Sequence, residues 1–423
     1  MHIQDFDPYD FSEEKIEGIS VYYKNLPWAP CTHIRFVFSI GAFNDPVGKE
    51  GLAHFLEHMI GNGSPLVPDK KAVKEFSRQY MLNSRNAMTG YNMTVYLSKC
   101  LPENFQKVFE TMNDYVFNPF LRKEDIEHER KVITQEAWGR YKNEKHLNYI
   151  KECSENIYAR HEKSRISSPL GWPKTVAEIE QMDTAEFHKK NYIKENLSIF
   201  LVGAIQKTDL SFLSEILKKT PSGKKIEKNE GIIDKPKIKR FERIGEEIGD
   251  PKEQLEFSIF RAIGKISEEE TDISVQTKML LYDVLFERLR VEHSLCYGVS
   301  TYMSSNKNYF EGGVMINTSE DKLELVEKEV WNVINEIING KWNERFKTMH
   351  TMALEQIKSK EYLSDDIIKN ASVDFIYNGK IKTLNEIVNE AKKVTYQDIQ
   401  KFLKKIFDPE YVFTEVILPS KKV

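Results

Sequence analysis

The chain has 423 residues, 40% hydrophobic and 11% aromatic, ample for two or more domains each with its own core. Lys+Arg 61 against Asp+Glu 65 leaves a formal net charge of -4, which argues against nucleic-acid binding through global positive charge. Cys31, Cys100, Cys153 and Cys296 are widely spaced, so neither a zinc knuckle nor a disulfide framework is indicated, and the acidic N-terminus lacks an apolar h-region.

Two strand-like runs, residues 18–23 and 33–40, flank a turn region with Pro27 and Pro30 and are expected to pair in one sheet. A loop over residues 41–48 leads into Gly51-Leu52-Ala53-His54-Phe55-Leu56-Glu57-His58-Met59, a short helix stopped by Gly61-Asn62-Gly63-Ser64-Pro65. At about 100° per residue, His54 and His58 project within roughly 40° of each other with Glu57 between their edges. Phe55, Leu56 and Met59 cover the rest of the helix. Two imidazoles one turn apart can grip one Zn²⁺, and a carboxylate beside them can take a proton from water on the metal, which is a hydrolase's chemistry. The order His-x-x-Glu-His inverts the commoner His-Glu-x-x-His pattern and matches the inverzincin signature. Chance gives an expectation of roughly 0.04 such patterns in a chain of this composition.

A second helix is expected over residues 70–80, and residues 83–97 read as a hairpin with Gly90 at its turn. Apolar spacing at Phe105, Val108, Met112 and Val116 marks another helix, and a longer one runs from about Lys123 to Asn143. On it Glu129 and Glu136 are seven apart and share a face with Val132 between them. The spacing alone fits a solvated charged face as well as a pair awaiting a third-ligand role. After further helices comes the apolar strand 197–202, and even residues 197–205 fall far short of the ~18 that span a bilayer, so a soluble, cytoplasmic protein without membrane contact is expected. Residues 216–240 read as an exposed basic linker, which places an N-terminal domain at 1–220, a linker at 221–240 and a C-terminal domain at 241–423.

The second half repeats the plan: a strand over 254–260, a helix from Glu269 to about Arg290, a hairpin over 296–303 and 309–316, helices over 322–338 and 343–358, and a last strand over 411–418. A repeat of roughly 210 residues implies two like domains rather than a solenoid. The expected class is α+β, two homologous domains each a sheet covered by helices. Where the first half has its histidines the second has Val275-Gln276-Thr277-Lys278-Met279, so one metal site per chain is expected.

These features resemble the pitrilysin, insulysin and mitochondrial-processing-peptidase family of zinc metallopeptidases over nearly the whole chain. Ala53-His54-Phe55-Leu56-Glu57-His58-Met59 is similar to its metal helix, Asn86-Ala87-Met88-Thr89 with Thr94-Val95-Tyr96 to its active-site hairpin, and Glu129-Arg130-Lys131-Val132-Ile133-Thr134-Gln135-Glu136 to its third-ligand helix. Ser168-Pro169-Leu170-Gly171 and Leu201-Val202-Gly203 also fit the family's order. The resemblance implies one Zn²⁺ held by His54, His58 and Glu136, Glu57 as general base on a zinc-bound water, and Glu129 as a support to a ligand histidine. Leu289-Arg290-Val291-Glu292-His293-Ser294-Leu295-Cys296-Tyr297-Gly298 resembles the family's Arg/Tyr pair, which makes Arg290 and Tyr297 donors to a substrate carbonyl or oxyanion. By residue type alone, a helix-end arginine in a surface ion pair and a core tyrosine are the favoured reading, and the resemblance reverses it.

By the same resemblance, the fold is a half-chamber of a clamshell peptidase, and peptide substrates add as a strand along the hairpin at Asn86 and Ala87. A chain of this length has two of the four domains of a chamber, which implies a homodimer or a heterodimer with a related chain. The implied activity is zinc-dependent endopeptidase action on unfolded peptides or leader segments; the alternative is a non-catalytic or partner-dependent peptide-binding subunit of a heterodimeric processing peptidase. Ile60-Gly61-Asn62-Gly63-Ser64 departs from the Phe, Lys and Gly-Thr that many relatives carry after the metal helix.

Overall fold

The structure, a computed structural model, describes residues 6–82, 86–225, 230–359 and 362–420. The chain forms two compact units: unit 1 from residues 1–140, 166–229 and 362–384, and unit 2 from residues 141–165, 230–361 and 385–423. Unit 1 begins with β1 (Ser12–Ile16), β2 (Ile19–Asn25), β3 (Thr32–Phe38), α1 (Leu52–Met59) and α2 (Lys70–Tyr80). It continues through β4 (Asn86–Thr89), β5 (Thr94–Cys100), α3 (Phe105–Phe117) and α4 (Lys123–Tyr141). α5 (Glu144–Tyr158) and the short β6 (Arg160–His161) belong to unit 2, after which α6 (Pro173–Ala177), α7 (Gln181–Asn191), β7 (Leu197–Gly203) and α8 (Lys207–Leu217) return to unit 1.

Unit 2 then takes β8 (Gly231–Ile232), β9 (Arg240–Ile244), β10 (Leu255–Gly264), α9 (Glu268–Leu285), β11 (Gly298–Ser305), β12 (Tyr309–Thr318), α10 (Leu323–Ile338) and α11 (Asn343–Ser359). α12 (Ser364–Asn378) is part of unit 1, and α13 (Leu384–Lys393), α14 (Tyr396–Ile406) and β13 (Phe413–Leu418) complete unit 2. The units are therefore not consecutive halves. α5 and α12 each belong to the unit built mainly from the other half of the sequence, so a single cut at residues 221–240 does not separate them.

The unit 1 sheet has the order β1-β2-β7-β3-β5-β4. β2 and β3, which the sequence leads one to expect as partners, share this sheet but do not pair. β7 lies between them, parallel to β2 (Ser20 opposite Ser198) and antiparallel to β3 (His33 opposite Val202). The reason is in the side chains: β7 is buried at all but one position, which suits a strand covered on both faces, whereas β2 alternates buried and half-exposed residues. β4, only four residues long, is left at the edge. Residues 83–85 of the expected hairpin lie outside the described residues.

Unit 2 has the order β11-β12-β10-β13-β9, with β13 and β9 as its parallel pair. Strands β2-β7-β3-β5-β4 thus have counterparts in β9-β13-β10-β12-β11, and the α+β class with two like domains holds. Each unit has its own core: Phe36, Phe38, Phe55, Leu56 and Phe109 in unit 1, and Phe257, Ile259, Leu281, Phe310 and Leu403 in unit 2, none more than 0% exposed. The helix expected from Glu269 to about Arg290 keeps α geometry only to Leu285 and passes into a π-helical turn, Phe286–Glu292. α12, absent from the sequence expectation, puts Ile367, Ile368 and Ala371 on unit 1, and Phe375 meets Tyr22 and Phe200 at ring distances of 4.9 and 5.6 Å.

Candidate metal centre

α1 is fixed by its start and by its buried side. Asp45 accepts from the N–H of Gly51 (2.7 Å) and of Ala53 (2.8 Å), donors that a helix start would otherwise leave unpaired. Gly51 has φ +100°, and a Cβ there would stand 2.8 Å from the Leu170 carbonyl oxygen. The loop over residues 168–171 therefore seats against the helix because position 51 is glycine. Leu52, Phe55, Leu56 and Met59 are each at most 1% exposed, which leaves His54, Glu57 and His58 as the face turned away from the core.

Glu136, from α4, comes to that face. Its Oε2 lies 3.9 Å from His54 Nε2 and 3.6 Å from His58 Nε2, and one ligand atom from each residue lies within 4.8 Å of the others. Two ligands about 2.1 Å from a tetrahedral ion stand about 3.4 Å apart, so this two-nitrogen, one-oxygen set fits a zinc-sized cation after small side-chain movements. Among the described residues it is the one group of three such ligands.

The surroundings prepare the histidines differently. Burial, and then the nearby His58, push His54 down to about 3, which keeps its lone pair free for a metal. Its Nδ1 is buried without a hydrogen-bond partner. His58 Nδ1 instead meets Glu129 Oε2 at 3.2 Å, and Glu129 also accepts from Lys70 Nζ at 2.6 Å. Burial alone would raise the pKa of Glu129, but the hydrogen bonds to His58 and Lys70 and their charges hold it at about 2. Burial works against a proton on His58, yet Glu129, Glu57 and Glu136 together raise its pKa, so a metal here must compete with a proton.

Glu57 Oε2 accepts from the Thr89 hydroxyl of β4 at 2.6 Å. Asn86, Ala87, Pro169 and Leu170 join these residues around an open cavity of about 580 Å³. The structure thus brings His54, Glu57, His58, Asn86, Ala87, Glu129 and Glu136 to one place. Lys70 and Thr89 were given no role by the sequence reading; Thr89 stood inside the hairpin motif, whereas nothing in the local pattern ties Lys70 to a glutamate 59 residues on.

Arg290 and Tyr297 form their own pair in unit 2. Arg290 lies in the π-helical turn and donates through Nη1 to the Cys296 carbonyl at 2.7 Å. The next residue, Tyr297, donates its N–H to the Asn317 carbonyl at 2.8 Å and leaves its side chain exposed.

Comparison with known proteins places this arrangement. Residues 20–169 match the sequence model of Insulinase (Peptidase family M16), and residues 179–345 match that of the Peptidase M16 inactive domain. Over 415 residues, 94% of this chain and 95% of the relative, the chain is 27% identical to an uncharacterized zinc protease of Rickettsia bellii (strain RML369-C). The first half of the periplasmic protease PqqL from Escherichia coli shares the fold with a TM-score of 0.80 at 18% identity, over 97% of this chain and 92% of that one. Pitrilysin matches with a TM-score of 0.74 at 16% identity, over 98% of this chain but only 45% of its own. No helix among the described residues is long and apolar enough to cross a membrane. The chain belongs to peptidase family M16, its residues 20–169 matching the family's peptidase model and its residues 179–345 that of the inactive domain.

Proposed function

We propose that this chain is a zinc endopeptidase that hydrolyses unfolded peptides or leader segments. The observation that carries the proposal is the convergence of His54, His58 and Glu136, with Glu57 beside them on a cavity that opens at the edge of a sheet. Zinc bound there supplies a Lewis acid that polarises a peptide carbonyl and makes water a nucleophile near neutral pH.

The chain's own residues do the rest. Glu57, held by Thr89, takes the proton from the attacking water and returns it to the leaving amine. Glu129 fixes the ring of His58 and is itself held by Lys70. The outer edge of β4, at Asn86 and Ala87, hydrogen-bonds an extended peptide as one more strand, the Ala87 N–H giving up its 3.0 Å bond to Asn86 Oδ1. Arg290 and Tyr297 are assigned to the oxyanion, Tyr297 through its exposed phenol and Arg290 after exchanging its bond to Cys296.

The active form is proposed to be a dimer enclosing a chamber, either of two copies or with a related chain. The chain matches 92% of the first half of PqqL, 48% of whole PqqL and 45% of pitrilysin. Cytoplasmic residence is part of the proposal, in keeping with four free cysteines, and cell fractionation tests it. No nucleic-acid or membrane partner is assigned.

The test is cleavage of a quenched peptide by wild type and Glu57→Gln, expressed alone, with metal content measured on both. Zinc in both proteins and turnover only in wild type is expected. Equal turnover in both would refute the role of Glu57, and zinc without turnover in either would favour a subunit that depends on a partner chain.

A further inference from the structure

β3 sends its side chains alternately to two sides of the unit 1 sheet. Ile34, Phe36 and Phe38 enter the core with α1, whereas His33 and Arg35 meet α12, through Ser364 (2.9 Å) and Ser372 (3.4 Å). Between α12 and the β4–β5 hairpin remains a cavity of about 440 Å³. Cross-strand pairing orders its floor: Lys99 is opposite His33, Asn86 and Arg35 both face Leu97, and Met88 faces Val95. One end is therefore cationic and the other apolar, lined by Val95 and by Val373 and Ile376 of α12.

The cationic end holds a charged group with unused bonding capacity. The side chain of Arg35 is 8% exposed, yet among the described residues its five N–H donors meet Ser372 Oγ at 3.4 Å and Asp365 Oδ1 at 3.5 Å, both at the limit of a hydrogen bond. Lys99 and Lys369 line the same end, beside Asp365, whose side chain is 65% exposed. Burial keeps His33 neutral, with its pKa lowered to about 4. A buried guanidinium so weakly paired is stabilised by an added carboxylate.

This cavity and the metal cavity share Asn86 and Met88. β4 is thus a common wall, with Thr89 reaching Glu57 on one side. We infer that the second cavity is a substrate subsite that takes a carboxylate of the bound peptide against Arg35, Lys99 and Lys369, with an apolar neighbour at Val95 and Ile376. The inference rests on the peptidase reading and names its substrate class: acidic peptides with apolar residues next to the acid. An Asp or Glu side chain and a free C-terminus offer the same chemistry.

The test uses the full chain and a positional set of peptides that differ by Glu or Gln, each with a free or an amidated C-terminus. Binding is read by fluorescence anisotropy on Glu57→Gln and cleavage by kcat/KM on wild type. A carboxylate is expected to improve both by about tenfold, from the side chain or from the terminus, whichever set shows it. The ratio is expected to fall toward one in Arg35→Gln and in Lys369→Glu; Lys369 is exposed, so its variant remains informative if Arg35→Gln fails to fold. Equal handling of acidic and neutral peptides by wild type overturns the subsite, as does a ratio unchanged in Lys369→Glu. Acid-selective binding without cleavage would keep the subsite and overturn the peptidase reading; cleavage without selectivity would do the reverse.

Discussion

α1 with β4 in unit 1 and α9 with β11 in unit 2 occupy matching places in two sheets of the same order, yet among the described residues only the first pair includes candidate metal ligands. In unit 1 the hydroxyl of Thr89 reaches from the edge strand to the carboxylate of Glu57. In unit 2 the hydroxyl of Thr301 reaches from the edge strand to a backbone carbonyl, that of Lys278, at 3.2 Å. Around it, Gln276 donates to the Ala391 carbonyl at 2.9 Å and lies 2.7 Å from His350 Nδ1, contacts that only hold elements together. The fold therefore does not require the ligands, and unit 1 keeps them in addition to what its packing needs.

The largest effects should separate the two units. Phe55→Ala removes a fully buried ring behind the metal face and is expected to cost about 3–5 kcal/mol, with metal affinity lost alongside stability. Leu281→Ala on α9 should cost about 2–5 kcal/mol but leave zinc content at the wild-type value. Thermal melts with metal analysis check both, and loss of zinc in Leu281→Ala would break the distinction. Glu129→Gln should lower zinc affinity about 10–100-fold with the fold intact, read by competition with a chelator. Thr89→Val removes one hydrogen bond to Glu57 and should lower kcat/KM by about tenfold, whereas Thr301→Val should leave it within about twofold.

The smallest effect concerns pH. His33 is buried and its folded pKa, about 4, lies below the unfolded value of 6.5, so the unfolded chain binds the extra proton in between. Its contribution is present above pH 6.5 and is lost as pH falls toward 4. His33→Asn should flatten that part of the melting-temperature profile, and an unchanged slope would show that His33 takes up its proton equally in the folded and unfolded states.

Much of this was legible in the sequence where the signal is local. His54, Glu57 and His58 lie within one helical turn, so their shared face needed no long-range knowledge, whereas the place of Asn86 beside them came only with the resemblance to the family. Glu136 was different: its spacing from Glu129 fitted a solvated face equally well, and only the packing of α4 against α1 chooses. The order of strands was harder still. Whether β2 meets β3 or β7 depends on a strand more than 150 residues away, and no periodicity records that partner. The interleaving of the units was hidden for the same reason, since the apolar faces of α5 and α12 do not state which sheet they cover.

The measurement that bears most directly on the account is the zinc content per chain of wild type, His58→Ala, and a Gln276→His/Lys278→Glu variant of the matching helix in unit 2. The account predicts about one zinc in wild type, none in His58→Ala, and still one in the unit 2 variant, because among the described residues His54, His58 and Glu136 are the one group of three ligands. Two zinc ions per wild-type chain, or one retained in His58→Ala, would contradict it.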